Sequence, residues 1–169
     1  RIGVAVAARA QASRMKVIYH NRTRRMDEAA LGVSYASFDD LLAQSDFILA
    51  MMPLTKATEG MFDQAAFAKM KPTARFINVA RGKVVNTNDL YEALKEKRIA
   101  YAALDVTDPE PLPGDHPLLT LDNILVTPHI GSATVETRDA MALLTADNLL
   151  AALQREKMPA CVNPAVQTD

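Results

Sequence analysis

The chain has 169 residues, 49% of them hydrophobic and 23% charged, which is the size and balance of about one globular domain. Nineteen Lys and Arg stand against twenty Asp and Glu for a net charge of −1, which excludes recruitment of nucleic acid or an anionic membrane by bulk charge. The longest clearly apolar run, residues 47–52, is far shorter than the roughly 20 residues of a membrane span. The opening residues do not read as a secretory signal. A single cysteine, Cys161, leaves stability to a packed core and suits a reducing compartment, so a cytoplasmic location is expected. His20, His116 and His129 lie far apart without metal-ligand spacing, and no metal site is expected.

In chain order, Arg1-Ile2-Gly3 fits the last three positions of a GxGxxG dinucleotide turn that runs into a helix from Val4. It fits equally a lone glycine before an alanine-rich helix. Residues 16–20, 46–52, 75–79, 99–106 and 123–127 are nearly continuous apolar runs of strand length, the pattern of a parallel sheet covered on both faces. Residues 33–36 form a shorter strand candidate. Between them, 37–44 reads as a helix capped by Ser37, and 60–70 as one with Met61, Ala65 and Ala68 on its inner face. A helix over 87–98 starts at Thr87 or Asn88 and buries Leu90 and Leu94. Residues 108–117 hold four of the nine prolines and predict a rigid surface loop. A long last helix from Thr134 to Gln154 carries Leu143, Ala146, Leu150 and Leu153 as one stripe, and the tail beyond Met158 reads as irregular.

This alternation predicts an α/β fold, a doubly wound parallel sheet of Rossmann type, with an NAD(P)-binding domain over residues 1–154 and a tail over 155–169. In such sheets ligands bind beyond the carboxyl ends of the strands. After the first strand come Arg22, Thr23, Arg24 and Arg25, with no acid before Asp27. A planar guanidinium suits the 2′-phosphate of NADP(H), where an NAD site places an acid for the ribose hydroxyl. The plainer reading is a solvated basic loop. After the third comes Arg81-Gly82, whose fork can grip a carboxylate. After the last comes His129, an acid or base near neutral pH. Glu110, between Pro109 and Pro111, can pair with His129 and raise the imidazole pKa. Taken singly, these three read as a surface cation, a turn residue and a loop charge. Together, at matching strand ends, they read as an active site.

The segments INVARGKVV (77–85), LDVTDPEPLP (104–113), HPLLTLDN (116–123) and TPHIGSAT (127–134) resemble the D-2-hydroxyacid dehydrogenase family, and within it the glyoxylate/hydroxypyruvate reductase branch. SDFI (45–48), TKATEGMF (55–62) and HNRTRR (20–25) support the resemblance, which runs from Arg1 to about Pro159. It implies that Arg81 binds the carboxylate of a small 2-oxoacid and polarises its carbonyl. It further implies that His129 donates the proton, with Glu110 holding it protonated and oriented. Asp105 and Val79 would meet the nicotinamide side of the cofactor, Pro53 and Thr58 would line its groove, and Arg22 through Arg25 would bracket the 2′-phosphate. Arg1 and Ile2 would lie under the pyrophosphate, and Gly131 with Ser132 would close the site beside His129, Ser132 against substrate.

Members of the family are roughly twice as long. The resemblance therefore implies that the first strand, two glycines of the turn and the substrate domain lie outside this chain, which alone would not turn over substrate. The expected reaction is NADPH-dependent reduction of glyoxylate or hydroxypyruvate, with NAD(H) as a second cofactor and a homodimer as the full-length assembly; neither nucleic acid nor membrane is a partner. The rivals are a dinucleotide-sensing scaffold resembling the family's corepressors and a catalytically inert fragment.

Overall fold

The computed structural model describes residues 2–166. In chain order its elements are α1 (Ile2–Ala12), β1 (Ile18–Tyr19), β2 (Ser34–Tyr35), α2 (Phe38–Gln44), β3 (Phe47–Ala50), α3 (Gln64–Lys69), β4 (Arg75–Asn78), α4 (Thr87–Lys95), β5 (Tyr101–Leu104), β6 (Ile124–Val126) and α5 (Val135–Leu153). Short 3-10 turns follow β4 at Gly82–Val84 and precede β6 at Pro117–Thr120.

Local chemistry sets the helix boundaries. Ser37 accepts a hydrogen bond from the Asp40 N–H (3.1 Å), Asp63 from Ala66 (2.9 Å), and Thr134 from Thr137 (3.2 Å), each satisfying an amide that the helix itself cannot. α4 starts at Thr87, one of the two expected positions, and is capped by Asn86, whose carboxamide takes both the Asn88 and Asp89 N–H groups. The first helix begins at Ile2 rather than Val4, so Gly3 lies inside it. Arg1 lies outside the described residues.

All six strands are parallel, as expected, but they form two sheets rather than one: β1-β2, and β3-β4-β5-β6 in sequential order. Burial alternates along the second sheet. Ile48, Ala50, Phe76, Asn78, Ala102 and Leu104 are buried, whereas Leu49, Ile77 and Ala103 are only half-buried and Leu125 is exposed. One face thus carries the core, and the other is half-buried at Leu49, Ile77 and Ala103.

That core is built around Phe76. Its ring lies 4.7 Å from that of Phe62 and 5.6 Å from that of Phe67, and Leu90, Leu94 and Leu118 are buried in the same cluster. The phase of α3 departs from the expected one. Phe62, Ala66, Phe67 and Met70 turn inward, and Ala65 and Ala68 face out. Phe67 buries more apolar area than an alanine can, so it sets the rotation of the helix.

The chain divides into two units, Arg1–His129 and Ile130–Asp169. The second contains α5, whose Asn148 carboxamide accepts from the Ala160 N–H of the tail (3.0 Å). The expected stripe is exposed at Leu143, Leu150 and Leu153, and Ala151 is the buried position of the helix. Among the described residues of this unit, no second α-helix or strand faces α5 to cover such a stripe.

Candidate active site

The sheet register gathers the site. Ala50, Asn78, Leu104 and Val126 are mutual partners at the last rungs of β3 to β6, so the segments that follow emerge along one edge. They carry Pro53, Val79 to Arg81, Asp105 to Glu110, and Thr127 to His129.

On this edge His129 Nδ1 lies 2.6 Å from Glu110 Oε1. The hydrogen bond from His129 holds the Glu110 carboxyl below the usual glutamate range; the Thr107 N–H and the charges of His129 and Arg81 act the same way, against a smaller opposing effect of desolvation. Ionised at neutral pH, Glu110 can only accept, so the proton of this bond sits on Nδ1 and the imidazole presents Nε2 elsewhere. His129 itself adopts a left-handed backbone conformation (φ 54°), in which its N–H donates to the Thr127 carbonyl (3.0 Å). The other two histidines have structural partners. His116 caps a 3-10 turn through Nδ1, and His20 stacks between Tyr35 and Phe38 with Nδ1 3.0 Å from the Ala36 carbonyl.

Arg81 is exposed and anchors one of its Nη1 protons on the Ala80 carbonyl (2.6 Å). The turn that presents it is held by Asn78, the buried polar residue at the end of β4. Its Nδ2 donates to the Arg81 carbonyl and its Oδ1 accepts from the Ala80 N–H, both at 3.0 Å. Asn78 carried a signal that sequence reading passed over: a carboxamide within an apolar strand must find partners. Asp105 is oriented by Thr127, whose hydroxyl donates to Oδ1 (2.6 Å).

Of the residues expected on the cofactor side, Val79 and Pro53 are exposed. Thr58 turns its hydroxyl back to the Pro53 carbonyl (2.7 Å) and accepts from the Thr55 N–H (2.8 Å), so it closes the Pro53–Thr55 loop. Ile2 is exposed in the first turn of α1. In the basic loop, Arg24 is ion-paired with Glu28 and Arg25 with Asp27, pairs that sequence reading missed by treating the loop as cationic only. Arg22 and Thr23 are exposed, and Arg22 forms no ion pair among the described residues. Gly131 and Ser132 belong to the second unit, in the turn ahead of α5. Among the described residues, no group of three His, Cys, Asp or Glu side chains stands close enough to hold a metal ion, and no helix is long and apolar enough to cross a membrane.

A dinucleotide requires cationic cover at its phosphates and an apolar wall along its rings. Arginines follow β1, two of them paired with Glu28 and Asp27, and exposed Pro53, Leu54 and Val79 follow β3 and β4.

Comparison with known proteins gives the same picture. Residues 1–131 match the family described as D-isomer specific 2-hydroxyacid dehydrogenase, NAD binding domain. The chain is 53% identical over 161 residues to the human glyoxylate reductase/hydroxypyruvate reductase, covering 94% of this chain and 49% of that protein. It is 47% identical over 167 residues to a glyoxylate reductase of Pyrococcus furiosus, covering 98% and 49%. A crystal structure of a protein from Thermus thermophilus superposes with a TM-score of 0.90 at 43% identity, over 95% of this chain and 50% of that one. The chain thus spans about half the length of the curated relatives it matches.

Proposed function

Because the chain belongs to the D-isomer-specific 2-hydroxyacid dehydrogenase family, as its NAD-binding domain, we propose that it supplies the cofactor site and the reacting side chains of a reductase acting on glyoxylate and hydroxypyruvate, with NADPH as preferred reductant. The observation that carries this reading is the 2.6 Å contact between Glu110 and His129, with the charge of Arg81 acting on the same carboxylate.

Arg22 and its loop would hold the 2′-phosphate, Pro53 and Val79 would line the ring sites, and Asp105 would face the nicotinamide. When bound, the nicotinamide supplies the hydride that the carbonyl carbon accepts. Arg81 binds the substrate carboxylate through its guanidinium fork and draws charge from the carbonyl oxygen. His129, with Nδ1 committed to Glu110, delivers the Nε2 proton to that oxygen, completing the hydroxyl group of the product. Glu110, accepting from Nδ1, keeps the ring in this orientation.

The working form in this reading is a cytoplasmic homodimer. The single cysteine fits a reducing compartment, and the exposed leucines of α5 form an apolar face of the kind that assemblies cover. The test is oxidation of NADPH on addition of glyoxylate or hydroxypyruvate to the active enzyme, with glycolate or D-glycerate as product. Reduction of neither acid, or equal use of NADH, would overturn the corresponding part, and light scattering checks the dimer.

A further inference from the structure

The arginines after β1 do not hang free in solvent. Arg24 Nε lies 3.0 and 3.1 Å from the two oxygens of Glu28, and Nη2 bonds Oε1 of the same carboxylate. Glu28 is tied in turn to the sheet, since Tyr19 Oη at the end of β1 donates to its Oε2 (2.8 Å). The same hydroxyl accepts the Arg25 backbone N–H (2.8 Å), which fixes the main chain of the loop as well. The Arg24 guanidinium also lies over the Tyr35 ring of β2, 5.8 Å from its centroid, and the Tyr35 and Tyr19 rings meet edge to face.

A guanidinium has five N–H donors in one rigid plane. In Arg24 the Nε/Nη2 edge is taken by Glu28, so the orientation of the opposite edge is set before any ligand arrives. We propose that Tyr19 and Glu28 are positioning residues that preset the outer guanidinium edge of Arg24, beside Arg22, for a phosphomonoester dianion, the 2′-phosphate of NADP(H). This deepens the cofactor assignment made above and rests on it.

Two effects of Glu28 oppose one another. Its charge repels a phosphate, and its hydrogen bonds remove rotamer freedom that Arg24 would otherwise lose on binding. Arg24 is 66% exposed, so solvent screens the repulsion felt at its outer edge, whereas the ordering comes from direct hydrogen bonds to Glu28, which is only 18% exposed and is screened less by salt. Ordering is the larger effect.

The experiment measures equilibrium binding of 2′,5′-ADP and 5′-AMP, which differ by the phosphate alone, to the unmutated chain and to Glu28→Gln and Tyr19→Phe, at low and at high salt. Thermal melting of each variant reports its folding. Both variants should bind 2′,5′-ADP about fivefold more weakly and keep 5′-AMP affinity within about twofold, with the loss already present at low salt, where repulsion by Glu28 is least screened. Unchanged or tighter 2′,5′-ADP binding by either folded variant would overturn the positioning role, as would parallel loss of both nucleotides. If the unmutated chain binds the two nucleotides alike, or binds neither, the 2′-phosphate site itself is refuted instead.

Discussion

Gly82 packs against the Thr107 main chain so closely that a β-carbon at position 82 would overlap the Thr107 carbonyl group and stand 2.7 Å from the Asp108 nitrogen. This approach joins the turn that carries Arg81 to the loop that carries Glu110. The obstruction is backbone, which cannot swing aside as a side chain can. Gly82→Ala should therefore force the two segments apart and destabilise the fold by about 3 kcal/mol. Urea unfolding checks the magnitude; a midpoint unchanged from the parent would show that the two loops separate without cost.

His129 occupies a left-handed conformation that most side chains resist, so an ordinary alanine replacement would mix backbone strain with lost chemistry. Asparagine tolerates that region and has no proton to give at neutral pH. His129→Asn should lower turnover by about 10²-fold or more, and lower the melting temperature by no more than loss of the bond to Glu110 does in Glu110→Gln. The readout is kcat for glyoxylate in the active enzyme, and near-parental turnover would remove His129 from the proton transfer.

Glu110 titrates below the ordinary glutamate range, chiefly through its hydrogen bond from His129. A carboxyl whose folded value is depressed stabilises the fold fully above its unfolded value, about 4.3, and that stabilisation disappears as pH falls through the depressed value. The melting temperature of the parent should accordingly exceed that of Glu110→Gln by a constant margin from pH 5 to 7, and the margin should close below about pH 4. A margin as wide at pH 3 as at pH 6 would place its origin outside this ionisation.

The strand positions, and the placement of Arg81, Glu110 and His129 after strand ends, were legible because their signals are local: an apolar run of strand length, and a polar residue soon after it. Arg81, Glu110 and His129 could be placed on one edge from strand order alone. The phase of α3 was not legible, because Ala65 and Phe67 both satisfy an apolar pattern and only packing on Phe76 chooses between them. The pairing of Arg24 with Glu28 was missed for a related reason. Charge was read by position after the strand, and the turn over residues 26–32 that brings Glu28 back to Tyr19 has no strong sequence mark.

Asn78 illustrates a buried polar residue whose partners are both main-chain groups. Asn78→Leu would keep the volume roughly constant while stranding the buried Ala80 N–H; the Arg81 carbonyl would keep its bond from the Val84 N–H. An unsatisfied buried group costs about 1–3 kcal/mol, so the loss should exceed that of a neutral core substitution. It should also loosen the turn that presents Arg81, raising KM for the 2-oxoacid more than it lowers kcat. Wild-type stability together with wild-type KM would show that the carboxamide is dispensable.

Arg22 differs from its neighbours in having no carboxylate partner among the described residues, so removing it leaves no acid unpaired. Arg24→Ala, by contrast, would release Glu28, and any loss of affinity would mix phosphate recognition with a disturbed loop. Arg22→Ala is therefore the cleaner probe of phosphate recognition. A charge-assisted hydrogen bond to phosphate is worth about 1.5–3 kcal/mol, which corresponds to roughly 10- to 100-fold in affinity. NADPH binding should weaken by that factor while NADH binding stays within about twofold, as read by cofactor fluorescence titration. Equal weakening of both cofactors would put the 2′-phosphate elsewhere on the β1 edge and leave Arg22 with a general electrostatic role.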